Sequence, residues 1–309
     1  MTAARPRGVA DPRRVGGPRA AGGPPRWYAD PARLGLAALA VSAAAFFLLP
    51  LYVMAITSLK PMEEIRLGLL FSWPTHLTLD AWQAAWSSAC TGVACAGIRG
   101  GFWNSVSIVL PSTVIAISLG ALNGYALACW RARGAALLFG LLMIGAFIPV
   151  QVLMFPLVRM LGPLHLVGSL PGIVLVHVIF SMPIMTLIFR NHFAALPREL
   201  FLAARLDGAG FLRIFVQLML PLSVPMLVVA AIMQATGVWN DYILGLVFAG
   251  REHLPMTVQL NNLVNTTTGT RLYNVDMAAT LLTSLVPLTI YVISGRWFVR
   301  GIAAGAVRG

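Results

Sequence analysis

The amino-acid sequence predicts an all-helical membrane protein with about six transmembrane helices. Of its 309 residues, 58% are hydrophobic and only 10% are charged, whereas soluble domains carry about 25% charged residues. The mean hydropathy is +0.81. Six apolar stretches are each long enough to cross a hydrocarbon core of about 30 Å as a helix. These three observations place the chain among multi-pass membrane proteins.

The apolar stretches follow an N-terminal segment that is rich in Arg, Gly, Pro and Ala. We interpret residues 1–33 as a disordered, basic cytoplasmic tail, because they include too few large aliphatic side chains to fold alone. Residues 34–309 form the predicted transmembrane domain. Its six spans are expected at residues 34–56, 102–130, 135–158, 170–189, 221–248 and 277–299.

The distribution of basic residues predicts the orientation in the membrane. If the N-terminus is cytoplasmic, 16 of the 22 Lys and Arg residues lie on the cytoplasmic side and six lie outside. Because Lys and Arg accumulate in cytoplasmic loops, both termini are predicted inside. A loop at about 57–101 is then periplasmic, and a loop at about 190–220 is cytoplasmic. The net charge of +12 is therefore spread around the spans of a lipid-embedded protein. It does not form the single basic face that a nucleic acid would bind.

Two of the three cysteines lie in the predicted periplasmic loop. Cys90 and Cys95 would form a disulfide if that loop faces an oxidising compartment, and their bonding stays open at this point. Cys129 ends an apolar run and is expected to be buried. The cysteines have too few potential ligands near them for a metal site, so none is predicted.

Polar side chains inside the spans are costly in lipid, and they mark candidate functional positions. Asn123 lies in the second span, and Trp239, Asn240 and Asp241 follow one another in the fifth. Asp241 is the only carboxylate expected at membrane depth. One interpretation is that it caps a helix break or pairs with a neighbouring span; the other is that its segment lines a hydrophilic path. His177, in the fourth span, is expected to form a hydrogen bond between helices.

Motifs of energy coupling and hydrolysis are absent from the sequence. Its only lysine, Lys60, is followed by Pro61, so no phosphate-binding loop of the form G-x-x-x-x-G-K-[ST] exists. The chain also lacks a zinc-protease motif and a nucleophile elbow. We therefore expect a chain that is not an enzyme and binds no cofactor itself. Any uphill transport would take its energy from a partner.

The predicted cytoplasmic loop has the most specific pattern in the chain. Pro197 and Glu199 suit the first turn of a short helix. The small side chains of Ala203 and Ala204 would let another protein approach that helix closely. Gly208 can end it, and a second helix then leads back into the membrane. The pattern predicts a helix, a glycine turn and a second helix, all accessible to a cytoplasmic partner.

This loop resembles the permease loop of ABC importers, whose pattern is Glu-Ala-Ala, three residues, Gly, and later Ile-x-Leu-Pro. In that family the short helix docks in a cleft of the ATPase subunit. Leu202 stands where the family has its glutamate, so Glu199 or Asp207 would supply the charge instead. Within the loop at 197–210, the resemblance implies an ATPase-coupling set of Glu199, Ala203, Ala204, Asp207 and Gly208.

The resemblance extends over nearly all of residues 34–309 and points to carbohydrate permeases of the maltose type. Asn104-Ser105, Ile148-Pro149 and Trp239-Asn240-Asp241 fit that branch, as does the C-terminal run from Trp297. The implied fold is that of an ABC type I importer permease. In maltose-type members the C-terminal tail inserts between the ATPase subunits. The counterpart of that ATPase-contacting tail here is Gly305, Ala306, Val307, Arg308 and Gly309.

Shorter signatures at 90–93, 120–125, 260–265 and 273–278 resemble those of glucose/mannose-type permeases. The resemblance implies import of a monosaccharide by alternating access across a bacterial inner membrane. The implied partners are a second homologous permease, two ABC ATPase subunits that hold ATP and Mg, and a periplasmic sugar-binding protein. The candidate residues of the translocation path are Asn123, Trp239, Asn240 and Asp241.

Three alternatives remain open from the sequence. Within the importer interpretation, the cargo is instead a disaccharide or glycerol phosphate. Outside it, the chain is a secondary transporter driven by an ion gradient, which would favour more intramembrane charges than are present. A membrane scaffold is the third alternative, for which apolar spans are sufficient.

Overall fold

The computed structural model describes residues 31–92, 94–130, 134–265 and 270–306, with side chains described from residue 33 to residue 295. The predicted tail therefore lies outside the described residues except for its last three. Within the described ranges the secondary structure is helical, apart from one bridge between Cys90 and Cys95. Backbone polar groups can be satisfied inside a helix, which is the requirement that lipid imposes on a spanning segment.

The helices are named here in chain order. They are α1 Pro31–Ser58, α2 Met62–Arg66, α3 Asp80–Ser87, α4 Arg99–Cys129, α5 Ala135–Ala146, α6 Val150–Leu161, α7 Leu170–Ala194, α8 Arg198–Leu206, α9 Phe211–Ile214, α10 Leu220–Leu222, α11 Val224–Trp239, α12 Ile243–Phe248, α13 Met256–Val264 and α14 Tyr273–Ala306. A π-helical turn at Phe215–Met219 joins α9 to α10.

The chain forms two compact units, Met1–Leu51 and Tyr52–Gly309. Of the first unit, the structure describes the beginning of α1, which is apolar and exposed from residue 33 to residue 51. An apolar helix without a polar face is suited to a lipid environment. The second unit contains the remainder of the fold, including all of the candidate functional residues that the structure describes.

Among the described residues, four helices are long and apolar enough to cross a membrane, namely Arg33–Ser58, Arg99–Cys129, Leu170–Ala194 and Tyr273–Gly295. Two bent helix pairs bring the number of candidate spans to six. The predicted number of spans is therefore compatible with the structure, but two of the predicted spans are not continuous helices.

The first correction concerns the predicted span 135–158. The structure has two helices there, α5 and α6, which meet at an angle of 107°. Pro149 lies at the junction and starts α6. A proline has no N–H to continue the hydrogen-bond ladder, and it disfavours helical geometry in the residue before it. The sequence contained this signal, but the apolar run concealed it.

The second correction concerns the predicted span 221–248. A helical segment at Phe211–Leu222 meets α11 at 80°, and Pro225 lies in the first turn of α11. The helix then ends at Trp239 and restarts as α12 at Ile243. This part of the chain is therefore a series of short helices, and the Asn240-Asp241 pair lies in the gap between two of them.

The long helices α4 and α7 pack against each other and form the centre of the second unit. Gly120 and Gly124 lie at this contact. A Cβ atom added to Gly124 would lie 2.6 Å from the backbone nitrogen of Arg190, and one added to Gly120 would lie 2.5 Å from Met185 Cβ. Only glycine permits this close approach of the two helices.

Apolar cores form at both ends of the α4–α7 pair. We call the first the α12-side core; it is built around Ile98, Trp239, Phe248, Met256 and Ala278. The second, the α8-side core, is built around Tyr125, Phe189, Phe193, Phe201 and Phe215. Since α4 has 31 residues, its ends lie about 46 Å apart. The loop after α3 and the loop before α9 therefore lie at opposite ends of one membrane-spanning helix.

Candidate coupling elbow and translocation path

The predicted helix, glycine turn and helix are present at the α8 side of the fold. The first helix, α8, ends at Leu206, and α9 begins at Phe211. Gly208 adopts a φ of +76°, a conformation that residues other than glycine rarely adopt. The N–H groups of Asp207 and Ala209 donate to the carbonyls of Ala203 and Ala204, at 3.0 Å each, and close the end of α8. We call residues 197–210 the coupling elbow.

Most of the predicted coupling residues are accessible on the elbow. Glu199, Ala203, Asp207 and Gly208 are exposed, and Ala204 is half-buried. Two leucines extend the same surface, because 45% of Leu202 and 89% of Leu206 are exposed. The elbow therefore presents a mixed surface with a strong apolar component. Leu202 stands at the position where the permease pattern that this loop resembles has a glutamate.

Phe201 anchors the elbow, and the sequence did not indicate this role. Phe201 is 5% exposed, and its ring lies 5.7 Å from that of Trp130 and 6.3 Å from that of Tyr125. The guanidinium of Arg205 lies 5.1 Å from the Trp130 ring centroid. An aromatic residue between two leucines on a short helix gives no local signal of which of the three faces inward.

The first two residues of the predicted ATPase-contacting tail continue α14. Gly305 and Ala306 are the last two residues of that helix. Val307, Arg308 and Gly309 lie outside the described residues. The described part of this tail is therefore helical, and its contact with an ATPase subunit stays a prediction.

Trp239 packs inside the fold in this structure. It is 2% exposed, its indole N–H donates to the carbonyl of Thr283 at 3.1 Å, and its ring packs 5.7 Å from Phe102. The ring is therefore buried in this conformation, and its place among the path residues stays a prediction. Its burial between α4 and α14 instead holds the C-terminal end of α11 in place.

Asp241 combines the two features of its first interpretation. Its carboxylate accepts hydrogen bonds from the N–H groups of Leu244 at 3.3 Å and Gly245 at 2.9 Å, which caps α12. Its Oδ2 also lies 3.9 Å from Nε2 of His177 on α7. Nearby, Asn240 is exposed, so one amide at the break is accessible while the adjacent carboxylate is engaged.

A line of polar groups continues from this break along α7. The Ser181 hydroxyl donates to the carbonyl of His177, and the Gln234 side-chain amide on α11 donates to the Ser181 oxygen, both at 2.5 Å. Asn123 lies on α4 beside the next residue of α7, with its Nδ2 3.9 Å from Met182 Sδ. Asn123 is thus on the α4–α7 pair, whose helix α7 also contacts the break through His177.

At the other end of α4, Cys90 and Cys95 are joined by a disulfide. The Thr91 N–H donates to the Ala94 carbonyl at 2.9 Å and closes this small hairpin. Its remaining residue, Val93, lies outside the described residues. The hairpin lies beside α13, because a Cβ added to Gly92 would be 3.8 Å from Asn262 Cβ.

The loop after α1 is held by a buried lysine whose role the sequence did not reveal. Lys60 is 2% exposed, and its Nζ donates to the Leu69 carbonyl at 3.0 Å and to the Ser72 hydroxyl at 2.9 Å. Asn274, at the start of α14, donates to the Lys60 carbonyl at 3.1 Å. Lys60 therefore ties this loop together and also joins it to the last span.

The start of α14 carries an ion pair on the same side of the fold. Arg271 Nε donates to Asp276 Oδ2 at 2.9 Å, and this hydrogen bond raises the pKa of Arg271 above its ordinary value. The described residues contain no group of three or more His, Cys, Asp or Glu side chains arranged to hold a metal ion.

Comparisons with known proteins give the family. A family model described as "binding-protein-dependent transport system inner membrane component" matches residues 114–304. The osmoprotective compounds uptake permease GgtD of Synechocystis sp. is 37% identical over 214 residues, which cover 69% of this chain and 71% of that protein. The glucose import system permease GlcU of Saccharolobus solfataricus is 31% identical over 280 residues, covering 88% of this chain and 94% of that one.

A solved structure matches the fold. A chain of a bacterial ABC transporter that imports the acidic polysaccharide alginate superposes with a TM-score of 0.75 at 18% sequence identity. The match covers 88% of this chain and 99% of that chain. At this identity the likeness concerns the arrangement of the helices alone.

Proposed function

Because the chain belongs to the inner membrane components of binding-protein-dependent transport systems, and is a multi-pass permease subunit of an ABC sugar importer, we propose that its cargo is a monosaccharide of the glucose/mannose type. In this proposal the chain forms one half of the translocation path. A second, homologous permease forms the other half, and a periplasmic binding protein delivers the sugar.

The observation that carries the proposal is the coupling elbow. It presents the exposed Leu206, Ala203 and Glu199 at one end of α4, a helix about 46 Å long whose other end lies next to the disulfide hairpin. We propose that the elbow faces the cytoplasm and docks on an ATPase subunit, and that the hairpin faces the periplasm. ATP and Mg then belong to the ATPase subunits, so this chain itself performs no hydrolysis.

The polar groups at the break between α11 and α12 support a hydroxylated cargo. A sugar hydroxyl both donates and accepts hydrogen bonds, so amides and carboxylates are suitable partners. The proposed path residues are Asn123, Asn240 and Asp241. Trp239 stabilises the break through its buried contacts with Phe102 and Thr283. The 19% exposure of the Asp241 side chain leaves part of its carboxylate accessible.

The choice of a monosaccharide rests on the short signatures that resemble glucose/mannose-type permeases and on the name of the relative GlcU. The name of another relative, GgtD, refers to osmoprotective compounds. Because the names of the relatives refer to different cargos, several solutes have to be tested. A disaccharide and glycerol phosphate are the competing cargos within the importer interpretation.

The test is uptake into liposomes that contain the complete transporter with its binding protein. We expect glucose uptake that requires ATP inside the vesicle and that excess mannose reduces. Maltose and glycerol 3-phosphate should not compete. Competition by either would assign a different cargo. Uptake that follows an ion gradient and ignores ATP would contradict the importer function altogether.

A further inference from the structure

The chain from the coupling elbow to α11 is not one straight helix that would transmit a displacement of the elbow directly into the membrane. Between the elbow and the break at Asp241, the chain changes from α9 to the π-helical turn at Phe215–Met219, and then bends by 80° before α11. Each change of helix type or direction is a place where a displacement can be absorbed. A displacement of α8 therefore needs another route to the spans.

That route is an aromatic cluster at the inner surface of α8. We call the following six residues the aromatic hub: Tyr125, Trp130, Phe193, Phe201, Phe211 and Phe215. Tyr125 lies at its centre and is fully buried. Its ring centroid lies 4.8 Å from Phe211, 5.3 Å from Phe215 and 6.0 Å from Phe193, and its hydroxyl donates to the Phe211 carbonyl at 3.3 Å.

Phe201 is the contribution of α8 to this hub. Its contacts with Tyr125 and Trp130 connect the elbow to the C-terminal end of α4. The preceding and following leucines are 41% and 45% exposed. Phe201 alone among these three neighbours is inserted into the hub, while Arg205 of α8 contacts the Trp130 ring at 5.1 Å. Phe201 is therefore the buried side chain through which a displaced α8 would press on α4.

The helix pair behind the hub can carry this displacement across the membrane. Gly120 and Gly124 leave no space between α4 and α7, so the two helices have to move together. At its α8 end, α7 contributes Phe193 to the hub. Farther along the same helix, His177 contacts Asp241 at the break. The helix α7 continues through Pro183 between these two contacts and thus links the hub to the proposed path.

A cavity beside Phe201 provides room for its ring to shift. It has a volume of about 250 Å³. It is lined by residues from α4, α7, α8, the α7–α8 connection and the π-helical turn, including Cys129, Phe193, Phe201 and Met219. Close-packed interiors switch between discrete arrangements and resist continuous deformation. A cavity next to a single inserted ring allows such a second arrangement.

We propose that Phe201 is a positioning residue of the transport cycle, which transfers motion of the coupling elbow through the aromatic hub to the α4–α7 pair. The inference rests on the proposed function, in which an ATPase subunit moves the elbow. Phe201 contacts neither sugar nor nucleotide in this scheme. Its effect is on coupling, so a change at this position should separate ATP hydrolysis from transport.

The test compares Phe201→Ala with Phe201→Tyr in the reconstituted transporter. A matched control is Phe155→Ala, because Phe155 on α6 is 72% exposed and lies outside the hub. We expect Phe201→Ala to retain the ATPase subunits and basal ATP hydrolysis while sugar uptake falls about tenfold. Phe201→Tyr keeps the ring, so its uptake should lie within about twofold of the wild type. Uptake by the Phe155→Ala control should lie in the same range.

The native thiol of Cys129 provides a second measurement that does not depend on the cargo. Because Cys129 lines the cavity, its rate of labelling by a maleimide should differ between the nucleotide-free and the ATP-vanadate-trapped transporter. We expect Phe201→Ala to abolish this difference.

Several results would overturn the inference. Uptake by Phe201→Ala within about twofold of wild type would do so, as would an unchanged labelling difference. Loss of the ATPase subunits from the Phe201→Ala complex would also overturn it, since Phe201 would then form the docking surface. If the wild-type transporter shows no ATP-dependent uptake, the proposed function itself fails. If wild type and variant transport equally, only this inference fails.

Discussion

His177 Nε2 lies 3.9 Å from Asp241 Oδ2, and this contact joins the middle of α7 to the gap between α11 and α12. The carboxylate at the same time caps α12 through the N–H groups of Leu244 and Gly245. One side chain thus holds a helix start and a contact between helices. An unpaired charge is costly inside a membrane. The contact with His177 and the hydrogen bonds from the N–H groups of α12 therefore both stabilise the break.

The double role of Asp241 predicts an order of stabilities. Asp241→Asn retains an oxygen that can accept from Gly245, whereas Asp241→Ala leaves both N–H groups without it. We expect Asp241→Ala to lower the free energy of unfolding by about 1 kcal/mol or more, with Asp241→Asn falling between it and wild type. Thermal unfolding in detergent measures the order. Asp80→Ala, at an exposed aspartate of α3, is the control, and equal losses in the two Asp241 variants would exclude the capping role.

The close contact of α4 with α7 predicts opposite effects of two glycine substitutions. Gly124→Ala would place a Cβ 2.7 Å from Phe189 Cβ and force the helices apart, at a cost of about 1–3 kcal/mol. Gly140→Ala in α5 meets nothing within 4 Å, and it should be neutral or stabilising by up to about 1 kcal/mol. Unfolding midpoints of the two variants decide the matter. A Gly124→Ala protein as stable as Gly140→Ala would contradict the packing described here.

The buried amine of Lys60 predicts a loop that loosens without it. Lys60→Met keeps most of the apolar volume but leaves the Leu69 carbonyl without its donor, which costs about 1–3 kcal/mol. We expect faster proteolysis within residues 61–79. Arg66→Met, at an exposed position of the same loop, should leave the cleavage rate near that of wild type. If the two variants are cleaved equally fast, Lys60 does not hold the loop.

The disulfide predicts the number of reactive thiols. The sequence has three cysteines, and the structure leaves Cys129 as the free one. Denatured protein that was never exposed to a reductant should therefore bind one maleimide per chain, and three after reduction. The mass of the labelled protein reports both numbers. Three labels before reduction would show that Cys90 and Cys95 are not joined in the cell.

The exposed leucine at the end of α8 predicts a docking defect that leaves the fold intact. Leu206 is 89% exposed, so Leu206→Glu should not change the unfolding midpoint. If the elbow docks on an ATPase subunit as proposed, the new charge should reduce the amount of ATPase that co-purifies with the permease about tenfold or more. Leu164→Glu, at a leucine that is 64% exposed in the connection between α6 and α7, should retain the ATPase. Unchanged co-purification by Leu206→Glu would place the docking surface elsewhere.

Most of the membrane topology could be read from the sequence, because apolar runs and helix-ending residues are local features. The run of residues 34–56 and the helix of α7 are recognisable from composition alone. The coupling elbow was also predictable, since Pro197 and Gly208 mark its first helix at both ends. The two helix bends could also have been predicted, because Pro149 lies at the α5–α6 junction and Pro225 lies at the start of α11.

The contacts of the candidate site were not predictable in the same way. Trp239 was expected to face a path, yet it donates a hydrogen bond to Thr283, which lies 44 positions away in the chain. Lys60 looked like a flanking charge of the first span, and its partners include Asn274, which lies 214 positions away. Nothing in the sequence around either residue indicates such a partner.

The sequence by itself determined that this chain crosses a membrane with apolar helices and presents a glycine-ended elbow beside them. Hydropathy, proline and glycine act on neighbouring residues, so the local sequence is sufficient to find their effects. Only the tertiary structure decided that Phe201 is inserted while its neighbouring leucines are exposed, and that Trp239 is buried. Those outcomes depend on side-chain packing between helices that are distant in sequence, and a local pattern has no information about that packing.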